Sequence, residues 1–231
     1  MTSLLVPRRY CGPPSSGNGG WTAGAFSSLV APAGAQVEVT LHAPPPLDTT
    51  MSVHTEGDLT LASAATGRVA SARVVENALT PVSPVTHQQA RRAESAYVGH
   101  TTSPFPTCFV CGRDRAPGDG LRIFSGPVDG EPDRVAATWT PFEASTATTW
   151  SALDCPGGWA GGLGERPMVL GRMTVRLDGL PVLGDEHVVV GEHRGTVGRK
   201  TATATSLYDP AGRLVGAAEQ VWIGIDPAAF G

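Results

Sequence analysis

Charge is sparse in this chain. Only 16% of its 231 residues are Asp, Glu, Lys or Arg, and the formal net charge is -4. That excludes a basic nucleic-acid stripe and a polybasic membrane anchor. Aromatic residues are scarce too, at 6%, so Ala, Val, Thr and Gly must fill much of the interior. No apolar run approaches the ~20 residues of a membrane span. The opening residues, 1–12, do not read as a secretory leader. Their short apolar part ends at Pro7 and precedes Arg8 and Arg9 instead of following them. A cytoplasmic protein is expected. Four cysteines in a chain this long do not suggest a disulfide framework. Cys108 and Cys111 form a C-x-x-C, which is half a zinc site. A second C-x-x-C and any H-x-H are missing, and Cys11, Cys155 and His100 are dispersed. No metal is expected.

What is present is a globular composition. Apolar residues make up 41% of the chain, enough for a sizeable core, and 29 Gly with 20 Pro imply many turns. The length fits one large domain or two small ones. Strand patterns dominate. Residues 37–41 alternate with period two, and residues 59–62 and 69–75 flank a hairpin turn at Thr66-Gly67. Further strands are predicted over 134–139, 168–177, 187–190, 201–208 and 214–225, the last two joined by Asp209-Pro-Ala-Gly212. Helices are predicted over 20–29, around 144–160, and over 85–97 with Ser83 as N-cap and Pro84 at the first helical position. The 85–97 segment is polar and reads as a surface connector.

The two halves echo one another. Gly19-Gly-Trp-Thr-Ala-Gly24 is like Gly157-Gly-Trp-Ala-Gly-Gly162, and Val37-Glu-Val-Thr-Leu41 is like Met173-Thr-Val-Arg-Leu177. Gly67-Arg-Val-Ala-Ser-Ala72 is like Gly212-Arg-Leu-Val-Gly-Ala217. The pattern predicts a tandem repeat of α+β units, each a short helix followed by antiparallel strands. The division is 1–82, a helical linker over 83–104, and 105–231.

Residues 107–123, TCFVCGRDRAPGDGLRI, resemble the "C-F-x-C-G … P-x-G-L" signature of one branch of the hotdog-fold acyl-CoA thioesterases, with Ala116-Pro117 where that branch often has Asn-Pro. Trp150-Ser-Ala-Leu-Asp154 resembles the middle of the hotdog helix. Asn18-Gly19-Gly20 is similar to the "H-G-G" start of that helix, with Asn in place of His. The resemblance implies a double hotdog, two antiparallel sheets each wrapping a helix as a pseudo-dimer. In that register the second helix begins near Ala147, whereas the glycine echo would align Gly157-Gly158 with Gly19-Gly20; the family register is preferred. It also implies an acyl-CoA or related thioester as substrate, no bound cofactor, and a possible homodimer of double-hotdog chains.

The chemistry follows from the residue types. Thioester hydrolysis needs hydrogen-bond donors for the developing oxyanion and a base or nucleophile at the carbonyl carbon. Amides at a helix N-terminus lack internal partners and sit at the positive end of the dipole, and glycine lets a ligand approach them. Asn18, Gly19 and Gly20 are therefore the expected carbonyl cradle, with Trp21 beside them as substrate-binding. Asp154 is the expected catalytic acid, and the resemblance implies that it faces that helix end across the two units. The plainer readings are an ordinary glycine turn and a helix-ending Asp. Glu165 is the reserve acid. The position matching Asp154 in the first half falls near Ser27, so only one of the two pseudo-symmetric sites is expected to work. Two rivals stand beside the hydrolase: a non-catalytic acyl-binding hotdog protein, and a hydratase or dehydratase on the same scaffold. The six histidines read as surface or strand residues and the five tryptophans as core.

Overall fold

A computed structural model describes residues 2–226. Chain order is β1 (Thr2–Leu4), α1 (Gly19–Ser27), β2 (Val37–Leu41), β3 (Met51–Glu56), β4 (Leu59–Ala64), β5 (Gly67–Val74) and α2 (His87–Ser95). Then come β6 (Gly126–Val128), β7 (Glu131–Trp139), α3 (Thr146–Ala160), β8 (Met168–Leu177), β9 (His187–Val197), β10 (Lys200–Tyr208) and β11 (Leu214–Gly224).

All eleven strands join one antiparallel sheet, in the order β1-β3-β4-β5-β2-β8-β11-β10-β9-β7-β6. Outward from the centre, the order reads helix-proximal strand, last strand, third, second on both sides. The halves meet where β2 pairs with β8, Val37 opposite Val175 and Val39 opposite Met173. The sheets expected for the two units are thus continuous with each other. Alternation explains the join: Val37 and Val39 point into the core while Glu38 and Thr40 do not, and Met173 and Val175 do the same from the other strand.

The helices α1 and α3 lie against each other in the hollow of this sheet. Every residue of α3 from Thr148 to Trp159 is buried, and seven of the nine residues of α1 are. A helix enclosed on all sides has no solvated stripe, and small residues leave room for that enclosure. Gly20 and Gly24, one turn apart, form the face of α1 that meets α3. A Cβ on Gly24 would stand 2.7 Å from Trp150 Cβ and 2.8 Å from Ala147 Cα.

Each strand expected from 37–41 onward is present, with β7 starting three residues before the expected Arg134 and β9 running seven residues past the expected Val190. The family register also holds, since α3 starts at Thr146. Of the echoes, the strand pair β2/β8 and the pair β5/β11 fall at matching places in the sheet. The glycine echo does not: Gly157 and Gly158 lie near the end of α3, whereas Gly19 and Gly20 begin α1.

The polar helix starts later than expected. Thr86, not Ser83, is the N-cap of α2, in a capping box with Gln89. Pro84 and Val85 precede it outside any helix or strand. Nor is α2 only a connector. Ala90 and Ala93 pack with Val82, Val128, Ala136 and Val190 into a second apolar cluster. Strands β1, β3 and β6 lay outside the sequence reading; two are three-residue pieces with no period to detect. No described helix is long and apolar enough to cross a membrane.

The C-x-x-C segment, numbered with the second unit, packs on the first. Phe109 N–H donates to Cys11 O at 2.8 Å, and Arg115 reaches Arg9 O at 2.7 Å. The lobes are interlocked rather than independent.

Candidate active site

Asn18 builds the first corner. Its own N–H donates to Tyr10 O at 2.8 Å and the adjacent Gly17 N–H to Pro45 O at 2.8 Å, so the loop before α1 is pinned at both residues. The Asn18 Oδ1 accepts from Trp21 N–H at 2.8 Å, a standard N-cap bond. With Oδ1 thus committed, the Nδ2 group is free to donate outward.

It donates to Asp154. Asn18 Nδ2 lies 3.0 Å and Gly20 N lies 2.9 Å from Asp154 Oδ2. The acid and the helix tip, 134 residues apart in sequence, are in direct contact. Glycine at 20 is what allows this. A Cβ there would stand 2.4 Å from Asp154 Cβ and 2.9 Å from Trp150 O. The glycine is needed for the helix–helix approach, where the sequence suggested room for a ligand.

Asp154 is 1% exposed. Burial pushes its carboxyl up to about 7, against the pull of the Gly20 N–H; the nearby Cys108 adds to the rise and Asn18 opposes it. Its Oδ1 has no hydrogen-bond partner among the described residues. One oxygen is therefore held by two donors and the other is left for something else.

Asp154 borders a cavity of about 220 Å³, together with Asn18 and Gly19. Leu41, Phe105, Leu163, Met168, Leu170 and Ile223 supply much of its wall. Among the described residues no Lys or Arg lines it. Gly19 N–H has no acceptor among the described residues, and Gly19 is only half-buried while Asn18 and Gly20 are buried.

Helix α3 is held in place behind the acid. Pro156 lies inside it and removes one backbone donor. The Leu153 carbonyl receives Thr205 Oγ1 at 2.7 Å and Gln220 Nε2 at 2.8 Å from the sheet. Gln220 is further locked by Thr203 Oγ1, at 2.9 Å from its Oε1. These inward polar residues of β10 and β11 fix the turn that carries Asp154.

The structure brings together Asn18, Gly19, Gly20 and Asp154. It does not bring Trp21 to the cavity: that ring stacks on Tyr10 with centroids 4.1 Å apart, and only its amide joins the cap. Glu165 is exposed in the turn after α3 and is absent from the cavity wall. Ser27 donates to Gly24 O at 2.9 Å, so the first-half counterpart carries no acid. Three thiols were not anticipated as neighbours: Cys108 and Cys155 come to 3.7 Å, with Cys111 beside them. Separation by 47 residues leaves no local signal for that contact.

The sequence matches no protein-family model and no curated protein. Solved structures do match over almost the whole chain. A putative thioesterase II from Thermobifida fusca superposes with a TM-score of 0.64 at 12% identity, covering 97% of this chain and 92% of that one. A putative thioesterase from Novosphingobium aromaticivorans gives 0.63 at 12%, covering 97% and 95%. A tesB protein of Mycobacterium avium subsp. paratuberculosis gives 0.60 at 14%, covering 96% and 91%. At these identities the likeness is one of fold, and the fold is the hotdog type in its double form, as the sequence led us to expect.

Proposed function

We propose that the chain hydrolyses an acyl thioester of coenzyme A, with Asp154 as general base. The observation that carries this reading is a buried carboxylate held by one oxygen and free at the other, at the edge of an apolar cavity. A substrate acyl group fits that cavity by its apolar wall. Asp154 Oδ1 takes a proton from water as the water oxygen attacks the carbonyl carbon. The Gly19 N–H, at the positive end of α1, faces the developing oxyanion. Gly20 N–H is committed to Asp154 and acts by orienting the base. Collapse of the tetrahedral intermediate breaks the C–S bond and releases a carboxylic acid and the free thiol. Thioesterase names among the structural relatives support the same chemistry.

A panel of acyl-CoAs of increasing chain length tests this, followed by loss of thioester absorbance. Turnover by the native chain and a fall of about 10²–10⁴-fold in kcat for Asp154→Asn is the expected result, since Asn can still accept from Gly20 N–H. Saturable binding with no turnover of any member would replace the hydrolase with the acyl-binding reading. One observation favours that rival: a single amide, at Gly19, remains for the oxyanion.

A further inference from the structure

We infer that Cys108, Cys111 and Cys155 form a three-thiolate site for one zinc-class cation, with its fourth position opening onto the apolar cavity. The inference is independent of the hydrolytic reading. All three sulfurs lie within 4.8 Å of one another, and all three residues are buried. Zinc binds thiolate sulfur at about 2.3 Å in tetrahedral geometry, which sets neighbouring sulfurs about 3.8 Å apart. Cys108 and Cys155 already stand at 3.7 Å.

The chain around them is shaped to present sulfur. Cys108 to Gly112 is a tight turn, closed by Gly112 N–H to Cys108 O at 2.9 Å. A Cβ at 112 would stand 2.4 Å from that oxygen, so glycine is required where the turn closes. Asn18 Nδ2 lies 3.8 Å from the Cys108 sulfur and 3.9 Å from that of Cys155. The Tyr97 hydroxyl holds Cys111 O at 3.0 Å and fixes the second arm of the turn. The third sulfur comes from α3, whose position the sheet already determines. Soft thiolates select zinc or a similarly soft ion over calcium or magnesium. Binding displaces the thiol protons to solvent, one from each cysteine that enters as a thiol.

Cys11 supplies an internal control. It is also buried, yet its sulfur bonds Thr107 O and receives Arg115 Nη2 at 3.1 Å, apart from the cluster. All three clustered cysteines line the cavity, so an ion has a route in.

The test uses the full chain, reduced and stripped with a chelator, then titrated with Zn²⁺ against a chromophoric competitor and separately with Co²⁺. One equivalent of zinc per chain is expected, with a thiolate-to-cobalt charge-transfer band. Cys155→Ser and Cys111→Ser should each weaken zinc binding at least tenfold, and Cys11→Ser should leave it unchanged. The cobalt spectrum is read on the unaltered chain, so it decides the matter even where a serine variant does not fold. Absence of stoichiometric binding, a cobalt spectrum lacking the thiolate band, or equal affinity in Cys155→Ser overturns the site.

Discussion

The Gly20→Ala variant tests the contact on which the candidate active site depends. The added methyl would lie 2.4 Å from Asp154 Cβ and 2.9 Å from Trp150 O. Neither atom ends a flexible side chain, so α1 and α3 must move apart. Overpacking of this kind costs ~1–3 kcal/mol, and here the rigid contacts place it at the upper end. Alanine returns ~1 kcal/mol through helix propensity. The net loss is about 2 kcal/mol, and in a chain of this size that lowers Tm by roughly 4–8 °C. Gly24→Ala is the comparison. Its methyl meets Trp150 Cβ and Ala147 Cα at 2.7 and 2.8 Å, the same helix but away from Asp154. Calorimetry should show similar Tm losses for both. Thioester turnover should separate them, because only the change at 20 displaces the amide that orients the base. Misplacement of about 1 Å costs on the order of 10²-fold in rate. A Gly20→Ala protein with native Tm and native turnover would refute the helix contact and the role drawn from it.

Other changes probe neighbouring parts. Asn18→Ala removes the N-cap bond to Trp21 and one of the two donors to Asp154 Oδ2. It should lose ~0.5–2 kcal/mol in urea unfolding, with a drop in turnover beyond any change in folded fraction. Gln220→Leu takes away Nε2 bonds of 2.8 Å to both Leu153 O and Thr205 Oγ1, and leaves the buried Thr203 hydroxyl without its acceptor. It should cost ~1–3 kcal/mol, seen as a lower urea midpoint at unchanged slope. Glu165→Gln, on an exposed turn outside the cavity, should leave turnover within about twofold of native, as surface changes do. Loss of turnover there would move the catalytic acid away from Asp154.

Much of the strand layout was readable because it is local. Period-two alternation in 37–41 and the Val-, Leu- and Met-rich stretch 168–177 specify strands without outside help, and the bounds of β2 and β8 agree with the expectation. The start of α2 was misplaced for an equally local reason. Ser83-Pro84 and Thr86 with Gln89 are both plausible caps, and the two-way capping bond at Thr86 prevails. Short edge strands had too few residues to show a period.

The candidate site divides along the same line. The resemblance to the hotdog thioesterases singled out Asn18, Gly19, Gly20 and Asp154, through the glycine-rich helix start and the acid that ends Trp150-Ser-Ala-Leu-Asp154. Their true relationship was not readable. Gly20 looked like space for a ligand and is the point where two helices touch. Its amide looked free for an oxyanion and holds the Asp154 carboxylate. Cys155 looked unrelated to Cys108 and lies 3.7 Å from it.

The amino-acid order by itself determined most of the strands and the presence of the helices, because alternation, caps and glycine act over a few residues. Only the tertiary structure decided which helix end meets which acid and which sulfurs share a space. Those contacts join positions 47 to 136 residues apart. They exist because β2 pairs with β8 and the glycine face of α1 closes on α3, long-range packing that no short window of sequence contains.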